Sequence, residues 1–217
     1  LKFKPTDALK CFLPAEQMEP ENVDLLLRIA RQYRHQTQDV GSMKEKLRLS
    51  GLSLNYAKRA VALAPRNSEA NLSVAICHAK AIELYGNKEK MEALRQVKSF
   101  ADKALSLDSG NDLAWYILGR WHQRVAELSG FKRKLAEMAF GKLPNATNDD
   151  AAKCYRKAIQ INPNRSPYYV DMGITCAAME NDADARKYIE KGLSLPSNGK
   201  DDPATKIRGK ETLKTLH

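Results

Sequence analysis

The feature that most limits what this chain can fold into is a helix end that recurs along it: a small residue, then an aliphatic one, then usually a proline. Residues 56–65 (YAKRAVALAP), 100–108 (FADKALSLD) and 154–163 (CYRKAIQINP) are versions of one segment. Ala8, Phe12, Ala15 and Pro20 keep the same spacing upstream, and Ala185, Ile189 and Gly192 keep it downstream. A second pattern precedes the last four copies. It is clearest in Trp115, Leu118, Gly119 and His122, and weaker in Leu26, Ile29, Ala30 and Tyr33, in Asn71, Val74, Ala75 and His78, and in Tyr169, Met172, Gly173 and Cys176. Residues three and four apart share one face of a helix. Self-similarity of this kind points to stacked helical hairpins that bury one another's apolar sides.

The spacing resembles the tetratricopeptide repeat (TPR), a helix pair of about 34 residues reading W-x2-L-G-x2-Y, then A-x3-F, then P. Small residues let paired helices approach closely while large ones fill the space between pairs. The anchors Ala15, Ala60, Ala104, Ala158 and Gly192 are 45, 44, 54 and 34 residues apart, so the first three full repeats carry insertions. From the small residue of the first helix to that of the second the distance is 30, 29, 39 and 19 residues, which puts every insertion inside a hairpin. Residues 43–47 and 88–94 are rich in good helix formers, and the expectation is that the insertions lengthen both helices. Ser166 before Pro167 and Asp202 before Pro203 are expected to cap helix starts, with Asn148, Asp149 and Asp150 supplying acid to another first turn. The expected fold is all-α: a TPR-like right-handed superhelix of antiparallel helix pairs, overlong in the first three full repeats. It is expected to form a single domain over 1–217, with a half repeat at 1–20, repeats at 23–65, 68–109, 112–163 and 166–197, and a capping helix at 201–217.

The third repeat adds a more specific likeness. Residues 113–121 (LAWYILGRW), 131–136 (FKRKLA), 140–144 (FGKLP) and 150–155 (DAAKCY) resemble the regulator of microtubule dynamics family, over about residues 23–195 and most specifically over 113–163. That resemblance implies a TPR-like domain. In animal members it also implies association with microtubules or, in the member that interacts with a protein tyrosine phosphatase, tethering of endoplasmic reticulum to mitochondria and phospholipid binding by this domain.

Charge narrows the partner. Of the formal +10, +4 lies in residues 41–60, +3 in 111–145 and +2 in 193–217. Such clustering draws acidic partners through long-range attraction that salt screens. An acidic protein or peptide ligand, a microtubule surface and an anionic phospholipid all fit. Nucleic acid does not, because the basic residues are not interleaved with aromatics in the manner of stacking platforms. In a TPR array the first helices line the concave face. Leu27, Arg31, Arg34, Leu72, Ile76, Lys80, Tyr116, Arg120, Arg124, Val170 and Ile174 are the candidate lining, able to hold an amphipathic segment or acyl chains and to meet carboxylates or phosphates. The competing expectation is that the arginines pair with neighbouring acids and the aliphatics are buried. Phe131, Lys132, Arg133 and Lys134, with Leu135, Met138, Ala139, Lys142 and Leu143, form a second candidate surface unless that stripe packs on the preceding helix.

Catalysis finds no motif here. His35, His78, His122 and His217 stand singly, and no phosphate-binding loop, nucleophile elbow or zinc spacing occurs, so the expectation is a non-enzyme with no cofactor and no metal. The four cysteines are far apart and are expected reduced. The Asn145-Ala146-Thr147 sequon carries weight only in a secreted chain. Apolar stretches such as 72–77 fall far short of the roughly 18 residues of a membrane span. The expected location is the cytoplasmic side, with any anchor in a segment preceding Leu1.

Overall fold

The structure, a computed structural model, describes residues 4–128 and 130–217, with the side chains of Phe131 and Lys132 outside the described set. All regular structure among these residues is helical: α1 (Pro5–Met18), α2 (Val23–Gln36), α3 (Met43–Leu63), α4 (Ser68–Ala81), α5 (Asn87–Leu107), α6 (Asp112–Ala126), α7 (Gly130–Phe140), α8 (Asn148–Ile161), α9 (Ser166–Ala178), α10 (Asp182–Ser194) and α11 (Asp202–Leu213). A short 3-10 turn, Ile82–Leu84, follows α4.

The helix starts explain much of the repeat. Asn22, Asn67 and Asn111 sit in extended backbone just ahead of α2, α4 and α6, and each side-chain oxygen accepts from the backbone N–H three residues on, at 3.0, 2.9 and 3.0 Å. An asparagine there satisfies one of the four N–H groups a helix leaves open at its start. Thr147 and Asn181 do the same for α8 and α10, at 3.1 Å each.

Ser166 and Asp202 do not cap. Ser166 lies inside α9, and its hydroxyl donates to Gly192 O at 2.7 Å, tying the start of α9 to the end of its partner helix. Asp202 lies inside α11 and turns back, its Oδ2 accepting from the N–H groups of Asn198 and Gly199 at 2.8 and 2.9 Å.

The insertions behave unevenly. α3 and α5 each reach 21 residues, but α2 and α4 stay at 14. The good helix formers all lie downstream of Gly41 and Gly86, so only the second helix of each pair has sequence to extend into. In the third repeat the insertion forms a helix of its own, α7, ended by Gly141 in the left-handed region at φ 86°.

The chain divides into two compact units, residues 1–109 and 110–217, a boundary between the second and third full repeats. In the N-terminal unit α2 pairs with α3 and α4 with α5, while α1 lies on α2 and α3 on α4. The core is built on small residues: Ala30, Ala57, Val74 and Cys77 form one buried cluster, and Leu26, Ala60 and Ala70 another. Arg59 fastens α1 to α3 through Glu16 at 2.6 Å and the Pro20 carbonyl at 3.1 Å. In the C-terminal unit α6 pairs with α8 and α9 with α10, and α11 lies against α9 and α10. A Cβ on Gly119 would stand 2.7 Å from Tyr155 Cε1, so only glycine lets α8 approach α6 this closely. Of the four cysteines, all free, Cys77, Cys154 and Cys176 are buried and Cys11 is exposed.

Candidate functional site

In the N-terminal unit α2 carries Leu27 half-buried, Arg31 exposed and Arg34 almost fully enclosed. On α4, Leu72 is wholly inside the core, Ile76 is nearly so and Lys80 is half-buried. Arg31 and Lys80 therefore meet solvent more than Leu72 and Ile76 do, while Arg34 is enclosed with the aliphatics. Burial, and then the neighbouring Arg34 charge, lower the Arg31 pKa, with Glu69 partly opposing.

The C-terminal unit arranges its members around a carboxylate that the sequence reading did not single out. Asp171 on α9 is fully buried; its Oδ2 accepts from Tyr116 Oη at 2.7 Å and its Oδ1 from Arg208 Nη2 at 2.6 Å. Arg120 stands more loosely, its Nε 3.7 Å from Asp171 Oδ2 and its guanidinium 5.9 Å from the centre of the Tyr116 ring. The side chains of Arg120 and Arg208 remain 41% and 43% exposed. Tyr116 also meets the rings of Tyr168 and Tyr155, at 4.8 and 5.9 Å, and Tyr155 Oη donates to Gln123 Oε1 at 2.9 Å. Burial, and then the Asp171 charge, push the Tyr116 phenol well above its ordinary range, so it stays protonated and donates. Arg124 is exposed, Ile174 half-buried and Val170 wholly buried, the last directed at Gly192 and Gly209.

The second candidate surface turns part of its apolar stripe to solvent. Arg133 Nε holds Glu137 Oε1 at 2.9 Å, and its Nη2 donates to the carbonyls of Leu143 and Pro144 at 3.2 Å each, binding α7 to the returning chain. Leu143 is buried, yet Leu135 is 60% and Met138 85% exposed beside exposed Lys134. The stripe is thus divided rather than packed on α6. Phe131 and Lys132 lie outside the described side chains.

His78 is a marked titrating group. Burial, and then Lys58, lower its pKa from 6.5 to about 4, and its buried Nδ1 has no hydrogen-bond partner among the described residues. The depressed value means that the unfolded chain takes up a proton first as pH falls, so stability contributed above pH 6.5 is lost progressively towards pH 4. Between pH 6.5 and 5.5, before carboxylates titrate appreciably, the loss is expected to be about 1 kcal/mol. Urea unfolding followed by circular dichroism should show this slope in the wild type and a flatter one in His78→Leu. Equal slopes would remove His78 as the cause.

No group of three or more His, Cys, Asp or Glu side chains placed to hold a metal ion lies among the described residues. Nor is any helix among them long and apolar enough to cross a membrane.

A sequence profile for "Regulator of microtubule dynamics protein 1-3" matches residues 2–217. The chain belongs to that family. It is 28% identical over 204 residues to "Regulator of microtubule dynamics protein 1" of Bos taurus, covering 93% of this chain and 64% of the relative. Against "Regulator of microtubule dynamics protein 2" of Macaca fascicularis it is 27% identical over 183 residues, covering 84% of this chain and 45% of the relative. The chain therefore spans about half to two thirds of the length of these relatives. Among solved structures it is similar to TTC0263, a thermophilic TPR protein of Thermus thermophilus, with a TM-score of 0.67 at 16% identity, covering 97% of this chain and 91% of that one. The fold is TPR-like.

Proposed function

We propose that the chain is a non-catalytic interaction scaffold whose first helices present basic faces to an acidic protein segment, and that the acidic surface of microtubules is the partner its relatives' names point to. The observation that carries this reading is the distribution of exposure within each unit: Arg31, Arg120 and Arg124 reach solvent and Leu27 and Ile174 are half-buried, while Leu72 and Val170 are withdrawn into the core. A face of that kind selects by charge, with a small apolar contact fixing register. The test is co-sedimentation with polymerised tubulin, before and after proteolytic removal of its acidic tails, at 50 and 200 mM salt. Binding is expected to weaken several-fold with salt, with tail removal and in Arg31→Glu/Arg120→Glu. Binding indifferent to all three would sink the proposal.

A second reading, a phospholipid-binding module at a membrane contact site, is favoured by one observation, the outward Leu135 and Met138 beside Lys134. An apolar ridge flanked by lysines suits the boundary between lipid head groups and acyl chains. Flotation with vesicles containing phosphatidylserine, and its loss in Leu135→Asp/Met138→Asp, tests it.

A further inference from the structure

Among the described residues, the N-terminal unit encloses a positive charge without enclosing a negative one. Arg34 is only 9% exposed, yet the one partner its guanidinium has among the described residues is Cys77 Sγ, 3.6 Å from Nη1. That sulfur brings no charge of its own. The Ser53 hydroxyl donates to Ala30 O at 2.7 Å, so in its 3.1 Å contact with Cys77 Sγ the remaining proton is the thiol's, and Cys77 is the donor. Arg31, one turn earlier on the same helix, has the Glu69 carboxylate as a nearby counter-charge, but Arg34 acts on it more strongly, so the two cations oppose each other.

Enclosed guanidinium groups are ordinarily paired, because removing an ion from water is offset only by a close counter-charge or several good acceptors. A thioether or aliphatic side chain would fill the place of Arg34 at lower cost to the fold. We infer that Arg34, with Arg31 beside it, is an oxyanion subsite on the first-helix face of the N-terminal unit, occupied by the carboxylate of an acidic peptide. The planar guanidinium offers its free N–H edge to two carboxylate oxygens, and Arg31 supplies the outer charge that draws the ligand in. The choice of a peptide carboxylate rests on the acidic-partner reading above; the uncompensated charge does not.

The two parts are separated by measuring stability and binding on the same variants of the full chain. In low-salt buffer without peptide, Arg34→Met is expected to melt a few degrees higher than the wild type, because it removes the unpaired charge and keeps most of the volume. Against a blocked hexaglutamate peptide, with hexaglutamine as control, the same variant is expected to lose tenfold or more in affinity. Arg34→Lys should keep part of the binding. Arg31→Gln, at an exposed position, should weaken binding several-fold without moving the melt. An Arg34→Met protein that melts lower, or does not fold, makes Arg34 a support of the fold and overturns the inference. So does hexaglutamate binding that Arg34→Met and Arg31→Gln both share with the wild type, a result that leaves the acidic-partner reading standing. No binding of hexaglutamate to the wild type overturns both.

Discussion

Asp171→Ala is expected to destabilise the C-terminal unit by about 3–5 kcal/mol, the range seen when one member of a buried charge pair is removed and its partners stay behind. Asp171 is fully buried and receives Tyr116 Oη at 2.7 Å and Arg208 Nη2 at 2.6 Å, with Arg120 Nε at 3.7 Å. Truncation leaves a phenol with no acceptor in an enclosed site and two guanidiniums without their shared counter-charge. Because those arginines keep 41% and 43% of their side-chain surface exposed, water recovers part of their loss, so the deleted Tyr116 bond and the cavity should supply much of the effect. Asp171→Asn, which keeps an acceptor for Tyr116, should cost only about 1–2 kcal/mol. Both tryptophans, Trp115 and Trp121, lie in α6, so fluorescence during urea unfolding reports this unit selectively. A loss under about 1 kcal/mol for Asp171→Ala would mean that the carboxylate does not hold α6, α9 and α11 together.

The helix pairs were legible in the sequence because the force that defines them is local and repeated. Ala30, Ala60, Gly119, Gly173 and Gly192 sit at recurring spacings and all are buried; a Cβ would meet the partner helix's backbone within 3.0 Å at Gly173 and Gly192, and the Tyr155 ring at Gly119. The Asn22, Asn67 and Asn111 caps are periodic too, at intervals of 45 and 44 residues, and comparing the residues just before each first helix finds them. The candidate site was less legible. Whether an aliphatic on a first helix faces a groove or the next pair depends on a helix far away in sequence: Val170 is covered because Gly209 of α11 comes against it. Asp171 and Arg208 are 37 residues apart on different helices, and no periodicity links them. Arg34 looks like any arginine on a basic face until Cys77 and Ser53 are seen around it. For α7 the pattern of apolar and basic residues is the same whichever side faces out, and the Arg133–Glu137 pair with the Leu143 and Pro144 carbonyls decides it.

Gly173→Ala and Gly51→Ala, one methyl group each inside a helix, are expected to change stability in opposite directions. In an exposed helix interior, alanine is favoured over glycine by about 1 kcal/mol, since glycine gives up more backbone freedom on folding. Gly51, in the middle of α3, has nothing within 4 Å of a built Cβ, so Gly51→Ala should gain about 0.5–1 kcal/mol. Gly173 starts with the same propensity gain, but its Cβ would stand 2.6 Å from Ile189 Cγ1, 2.8 Å from Ala185 O and 2.9 Å from Ile189 N. Ile189 could turn its side chain aside; the Ala185 carbonyl and the Ile189 amide belong to the backbone of α10, so the helix itself must move. That shift would reach Ser166, whose hydroxyl holds Gly192 O at 2.7 Å, and Val170, packed on Gly192. Overpacking at this contact should outweigh the propensity gain and leave a net loss of about 2–3 kcal/mol. Circular dichroism melts of the two variants beside the wild type read the result, and a Gly173→Ala protein as stable as the wild type would mean that α9 and α10 pack with room to spare at their closest approach.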